Sequence, residues 1–66
     1  MERFDKVEIS QLTPGDIFTT EIKIINREAF MLKEFKGKQA ICESRITGKE
    51  VKKQASMKVF YLRTEN

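Results

Sequence analysis

The sequence predicts a small all-β domain of about five antiparallel strands rolled into a barrel, and three observations support this prediction. Gly37 and Gly48 divide residues 30–51 into short segments, and glycine supplies the positive φ that a tight hairpin turn needs. The segments between these glycines have the length and residue types of strands. A Pro-Gly pair at residues 14–15 marks another turn, and the β-branched residues 17–25 that follow it favour a further strand.

The N-terminal third is expected to contain a short strand or extended lead-in, a turn and a longer strand. Val7 and Ile9 alternate with polar residues, which is typical of a segment with one buried face. Pro and Gly at the second and third turn positions predict a type II turn, which Asp16 would cap. In residues 17–25 the alternation assigns these side chains to the core: Phe18, Thr20, Ile22 and Ile24.

Residues 26–36 fit two structures. Asn26 could cap a helix that ends at Gly37, and most residues between them are good helix formers. We favour a strand after a hairpin connection at residues 26–28, because so short a helix would be marginal on its own. The strand predicts a direction for each side chain: inward for Phe30 and Leu32, outward for Met31, Lys33 and Phe35.

The C-terminal half is expected to supply three strands. Residues 40–46 would turn their small side chains inward, which suits the tight interior of a small barrel: Ala40, Cys42 and Ser44. Residues 50–53 form a short strand, residues 54–57 a single 3-10 turn, and residues 58–63 the last strand. The 66 residues are interpreted as one domain with an ordered core at about residues 4–63.

Composition restricts how so small a chain is stabilised and where it works. It has one cysteine and no histidine, so no internal disulfide and none of the common metal-site patterns are expected. The N-terminus is charged, unlike a signal peptide, and no apolar run approaches the roughly 18 residues of a membrane span. A free cysteine suits a reducing compartment, so the sequence predicts a cytoplasmic protein without a membrane partner.

The order of turns and strands resembles that of small SH3-like β-barrel domains. The resemblance rests on the L-x-P-G-D-x-F pattern that ends at Phe18, on the T-G-x-x-V pattern of residues 47–51, and on Phe30. It covers about residues 7–62 and implies an accessory protein of the bacterial or phage type, but no single function. With no tryptophan and one tyrosine, the chain lacks the aromatic groove that binds proline-rich peptides.

Catalytic groups are scarce. Without histidine there is no Ser-His or Cys-His dyad, and the carboxylates are scattered singly among basic residues. Cys42, between small residues, is interpreted as a small core side chain rather than a reactive thiol. The sequence therefore predicts a non-enzymatic protein that uses no cofactor, metal or small-molecule substrate.

Two surfaces are candidates for binding. Apolar side chains that a small barrel cannot bury predict a surface for a protein partner or a second copy: Met31, Phe35, Phe60 and Tyr61. Basic residues near two turns suggest nucleic-acid binding as the alternative: Lys36, Lys38, Lys49, Lys52 and Lys53. Residues 1–32 carry a net charge of −2 and residues 33–66 of +5, although such lysines also protect strand edges from aggregation. A protein-interaction module is the favoured function.

Overall fold

The chain forms six β-strands and one 3-10 helix in a computed structural model that describes residues 1–22 and 28–65. The predicted all-β class is confirmed, and the extended lead-in is a sixth strand. In chain order the elements are β1 (Lys6–Glu8), the 3-10 helix (Ile9–Gln11), β2 (Asp16–Thr19), β3 (Ala29–Lys36), β4 (Gln39–Ser44), β5 (Glu50–Gln54) and β6 (Lys58–Thr64).

The strands form one antiparallel sheet in the order β1-β6-β2-β3-β4-β5. This sheet is open, so the predicted closure into a barrel is not observed: β1 and β5 are its two edges. β1 is too short to run along β5, because the chain turns into the 3-10 helix after three residues. The two sides meet beyond β5, where the N–H groups of Ile9 and Ser10 donate to the carbonyls of Met57 and Ala55 at 3.0 and 2.9 Å.

One face of the sheet, called the inner face, carries the hydrophobic core. Phe18 and Phe30 lie directly opposite each other on β2 and β3, and their rings stack with centroids 5.7 Å apart. On β4 the small side chains point inward, as predicted. The buried core cluster consists of Ile9, Leu12, Phe18, Phe30, Leu32, Ala40, Cys42 and Val59. The opposite face is called the outer face.

β2 is shorter and more buried than predicted. It lies in the middle of the sheet between β6 and β3, and all four of its residues are buried. Ile17 and Thr19, which alternate with the predicted core residues Phe18 and Thr20, are therefore as buried as Phe18. The Thr19 hydroxyl lies 2.8 Å from the carbonyl oxygen of Glu28, so its polar group has a partner despite its burial.

The core assignment beyond β2 is partly wrong. Thr20 is half-buried, and Ile22 is 54% exposed, because β2 ends at Thr19. A strand that ends there no longer forces side chains to alternate between two faces. Ile24 and the predicted hairpin connection at residues 26–27 lie outside the described residues.

The ambiguous segment is a strand over Ala29–Lys36, which excludes the helix alternative there. Phe30 and Leu32 are buried, as predicted, whereas Met31 is half-buried and Lys33 exposed. The outward assignment of Phe35 is wrong. A bulge between Leu32 and Glu34 shifts the register, so that Phe35 lies opposite Ala40 on the inner face.

The predicted turns are present, with one helical turn displaced. Gly15 has φ +100° and the N–H of Asp16 donates to the Thr13 carbonyl at 3.0 Å, as a type II turn requires. The 3-10 helix was predicted at residues 54–57 but lies at Ile9–Gln11. Residues 54–57 form a simple turn, in which the Met57 N–H donates to the Gln54 carbonyl at 3.0 Å.

Candidate functional site

The four apolar residues predicted to form a binding surface are divided between the two faces. Met31 lies opposite Ile17 on the outer face, and Phe60 lies opposite Thr19 on the same face. Tyr61 lies opposite Phe18 on the inner face and packs against the core. Phe35, at the end of the inner face, is the most exposed of the four at 40%. The structure therefore does not bring these residues into one patch.

The five predicted lysines are divided as well. Lys36 and Lys38 flank Gly37 at the β3–β4 turn, whereas Lys49 lies in the β4–β5 connection at the opposite end of β4. The six residues of β4 separate these two connections by about 20 Å. On β5, Lys52 lies opposite Ile41 and Lys53 lies opposite the core residue Ala40, so their side chains point to opposite faces.

The feature that unites several of these lysines is the free edge of the sheet at β5. Among the strands that the structure describes, β5 pairs with β4 on one side only, because it is the last strand in the sheet order. It is five residues long, against three for β1 at the other edge. An edge strand exposes unpaired backbone groups, which can accept a further strand.

The hydrogen-bonding register shows which backbone groups of β5 face outward. The N–H of Ser44 donates to the Lys49 carbonyl, and the N–H of Ala55 donates to the Lys38 carbonyl, both at 2.9 Å. Because hydrogen-bonded pairs recur every second residue in an antiparallel ladder, Val51 and Lys53 also bond to β4. The residues whose backbone groups point away from the sheet are Glu50, Lys52 and Gln54.

Side-chain exposure agrees with this backbone pattern. Glu50, Lys52 and Gln54 are exposed, whereas Val51 and Lys53 are half-buried. Val51 packs against the core, so it turns inward as its register requires. Of the outward backbone groups, the Gln54 carbonyl already accepts the N–H of Met57. The N–H and C=O of both Glu50 and Lys52 and the N–H of Gln54 have no hydrogen-bond partner within residues 1–22 and 28–65 and are open to a new strand.

Charge is balanced on most of the sheet but not beside β5. A chain of contacts connects the C-terminal ends of β4 and β6: Glu43 to Arg45 at 3.7 Å, Arg45 to Glu65 at 3.3 Å, and Glu65 to Arg63 at 2.9 Å. Lys33 and Lys58 also contact carboxylates, at 3.6 and 3.9 Å. None of the five predicted lysines forms an ion pair with a residue of the described ranges. This side of the sheet therefore carries uncompensated positive charge.

A pocket lined by residues with polar side chains, called the polar pocket, lies at the C-terminal end of β5. It has a volume of about 320 Å³ and is lined by Lys38, Gln39, Gln54 and Ser56. Gln39 and Gln54 lie directly opposite each other on β4 and β5. Their amides, the Ser56 hydroxyl and the Lys38 ammonium supply several hydrogen-bond donors to one small volume.

The described residues offer little to catalysis. Cys42 is fully buried in the core, and burial raises the pKa of its thiol from 9.0 to about 11, although the nearby Lys53 ammonium lowers it. At neutral pH this thiol is protonated and is a poor nucleophile. No group of three or more metal-ligating side chains occurs in residues 1–22 and 28–65. None of the helices described there is long and apolar enough to cross a membrane.

Sequence reasoning identified the lysines but missed their neighbours at this edge: Gln39, Glu50, Gln54 and Ser56. An edge strand is defined by strand order, and local patterns do not reveal that order. The one local signal was the polar composition of residues 50–54, in which Val51 is the only apolar residue. Such lysine-rich, short strands are typical of sheet edges.

Comparisons of the chain with protein-family models, with curated proteins and with solved structures found no match.

Proposed function

We propose that this chain is a non-enzymatic protein-binding domain that takes up an extended segment of a partner as an additional strand on β5. The observation that carries this proposal is the outward direction of the backbone groups of Glu50 and Lys52 on an exposed edge. Each of these residues offers one donor and one acceptor to an incoming backbone. Strand addition of this kind is a recurrent mode of peptide recognition.

The other edge is a poorer binding site. β1 has three residues, and the 3-10 helix that follows it turns its N–H groups onto the β5–β6 connection. A partner strand would find only a short ladder there. At β5 it could pair along Glu50 and Lys52, and the 3-10 helix contacts the chain beyond this strand, at Ala55 and Met57.

A protein segment fits β5 better than a nucleic acid does. The free edge alternates donors and acceptors in a line, which matches a peptide backbone, whereas phosphates supply acceptors only. Single-stranded nucleic acid is bound on rows of aromatic side chains, and Phe35 is one exposed ring at the end of the sheet. Nucleic acid is the second candidate, because the lysines beside β5 attract phosphates.

The proposal replaces one part of the sequence-based hypothesis and keeps the rest. The binding element is the β5 edge rather than a patch of Met31, Phe35, Phe60 and Tyr61. We propose further that the domain is an open relative of the small SH3-like barrels and acts in the cytoplasm as an accessory protein. Its partner is a larger protein with an accessible extended segment.

The first test is amide hydrogen exchange measured residue by residue. In the free protein the Glu50 and Lys52 amides should exchange fast, while those of Val51 and Lys53 should be protected by β4. Partners captured from host extract are then added. Binding at this edge should protect the Glu50 and Lys52 amides as well.

Two variants at one position isolate the backbone contribution. Lys52→Ala removes the charge and keeps the N–H, whereas Lys52→Pro also removes the N–H, on the side of the strand that faces solvent. The proposal expects the alanine variant to bind and the proline variant to lose binding. The proposal would be overturned by a partner that binds the proline variant as tightly as the alanine variant and leaves the Glu50 and Lys52 amides of the unchanged protein unprotected.

Nucleic acid is tested by titrating labelled single-stranded and duplex oligonucleotides at low and high salt. If an oligonucleotide binds at all, the proposal expects Lys52→Pro and Lys52→Ala to bind it equally well. If oligonucleotides bind at low salt through the lysines while no peptide protects β5, the second candidate replaces the first.

A further inference from the structure

We infer that the strand added to β5 alternates acidic and apolar residues, with one carboxylate in the polar pocket beside Lys38; this inference rests on the proposed strand addition. It names the partner by its chemistry, namely an extended acidic peptide segment. Three features of the edge support it: the side chains on its outer face, the pocket at its end, and the half-buried residues on its inner face.

On the outer face, the edge presents positive charge and amides. Lys52 and Gln54 point their side chains to this face, and Lys52 has no carboxylate partner among the described residues. Residues directly opposite each other on neighbouring strands have Cβ atoms about 4.5–5.5 Å apart. A carboxylate on the new strand opposite Lys52 would therefore lie within reach of its ammonium, and opposite charges in this position stabilise a sheet.

The pocket favours a second carboxylate on the new strand, opposite Gln54, two residues from the position opposite Lys52. A side chain opposite Gln54 stands beside the space lined by Lys38, Gln39, Gln54 and Ser56. A carboxylate there can accept hydrogen bonds from the amides and the hydroxyl and lies near the Lys38 charge. The two adjacent outer-face positions of the new strand thus both favour Asp or Glu.

The inner face imposes the opposite preference. Residues of the new strand opposite Val51 and Lys53 point to the face that holds the core. Val51 is half-buried against that core, so an apolar neighbour would extend the buried surface past the edge. Opposite Glu50, by contrast, a neutral or basic residue is favoured.

A second copy of this chain suits the edge less well. In the antiparallel register that pairs the whole of β5 with itself, Lys52 of one copy would lie opposite Lys52 of the other. Like charges directly opposite each other destabilise a ladder. The acidic segment avoids this repulsion and neutralises the unpaired lysines.

The test uses a fluorescent peptide, Gly-Glu-Val-Glu-Val-Thr-Gly, that meets β5 in the antiparallel register with its first Glu opposite Gln54. Matched peptides carry Gln or Lys in place of both Glu residues. The unchanged chain is compared with Lys52→Glu and Lys38→Glu, and with Lys6→Glu on β1 as a control of equal charge change. Affinity is measured by anisotropy, binding position by amide exchange, and self-association by sedimentation.

The inference expects the Glu peptide to bind about 2- to 25-fold more tightly than the Gln peptide, since each exposed pair contributes about 1.4- to 5-fold. The Lys peptide should bind most weakly. Lys52→Glu and Lys38→Glu should each reduce the preference for the Glu peptide over the Lys peptide, while Lys6→Glu should leave that preference unchanged. High salt should reduce the difference between the peptides.

The outcomes separate the inference from the function on which it rests. If all peptides bind equally and protect the Glu50 and Lys52 amides, strand addition stands and the acidic preference is wrong. If no peptide protects these amides, and sedimentation shows dimers that Lys52→Pro dissociates, the edge binds a second copy and the inference is overturned. If only oligonucleotides bind, both the inference and the proposed function are wrong.

Discussion

The ammonium group of Lys53 lies 4.4 Å from the centroid of the Phe30 ring, on the inner face of the sheet. Phe30 is a core residue, whereas Lys53 belongs to the edge strand β5. The lysine therefore reaches back from the free edge over an aromatic ring of the core. A cation in this position is attracted by the electron-rich face of the ring.

This contact predicts a distinct NMR signature. The ε-methylene protons of Lys53 should resonate upfield of those of Lys52, because ring currents shield protons above an aromatic face. Lys53→Gln should lower the free energy of unfolding by about 0.5–1 kcal/mol, and Lys52→Gln should leave it nearly unchanged. Identical ε-proton shifts for the two lysines would contradict the contact.

Cys42 predicts a loss of stability at alkaline pH. Its pKa is raised from 9.0 to about 11 in the folded protein, because burial disfavours the thiolate. The unfolded chain thus releases the thiol proton at lower pH than the folded chain. The resulting stabilisation is complete below pH 9 and is lost as pH rises towards about 11, at up to about 1.4 kcal/mol per pH unit.

The measurement compares denaturant unfolding of the natural protein and of Cys42→Ala from pH 7 to pH 11. All other ionisable groups are the same in both proteins, so their contribution cancels in the difference. The difference in the free energy of unfolding should be constant up to about pH 9. Above this pH the natural protein should lose stability relative to Cys42→Ala. A difference that stays constant up to pH 11 would show that the thiol has an ordinary pKa.

Local patterns predicted the strands and turns because their causes are local. Gly15 and Gly37 both adopt the positive φ that their turns demanded, and the alternation of Ala40 with Cys42 placed both in the core. The register of β3 was missed, since a bulge depends on how two strands pair and leaves no local mark. The predicted closure of the sheet into a barrel was wrong, because the chain turns into a 3-10 helix after the three residues of β1.

The candidate site could be predicted only in part for the same reason. The lysines of β5 were recognised as basic residues near turns, but a meander puts successive turns at opposite ends of the sheet, which separates Lys49 from Lys36 and Lys38. The direction of the Lys52 N–H follows from strand order and register, both of which are long-range properties. Sequence reasoning therefore found the charge and missed the backbone edge.

The alternation of backbone direction along β5 predicts that proline lowers the free energy of unfolding by different amounts at two adjacent residues. The Lys53 N–H faces the buried residue Ala40 on β4, so Lys53→Pro would leave a carbonyl of β4 without its donor. We expect this to cost about 1–3 kcal/mol relative to Lys53→Ala. Lys52→Pro should cost much less relative to Lys52→Ala, because that N–H faces solvent. Equal costs at both positions, measured by denaturant unfolding, would refute the assigned register.

Asp16 and Thr64 should be energetically coupled, because the Thr64 hydroxyl donates to Asp16 Oδ1 at 2.5 Å across β2 and β6. Asp16 Oδ2 accepts the Thr13 N–H at 2.9 Å, and Asp16 is nearly fully buried. In Asp16→Asn the amide NH₂ must replace one of these two acceptors. We therefore expect a loss of about 1–3 kcal/mol in the free energy of unfolding.

Thr64→Val removes one hydrogen bond to Asp16 and should cost about 0.5–1.5 kcal/mol in the natural background. In the Asp16→Asn background the NH₂ group can take the side that faces residue 64, which leaves the amide oxygen for Thr13. Thr64→Val should then cost less than in the natural background, with the loss of the 2.7 Å hydrogen bond to the Tyr61 hydroxyl common to both, so the double variant should be more stable than the sum of the single changes predicts. Strict additivity in this cycle would mean that the Asp16–Thr64 contact adds nothing to the attachment of β6 to β2.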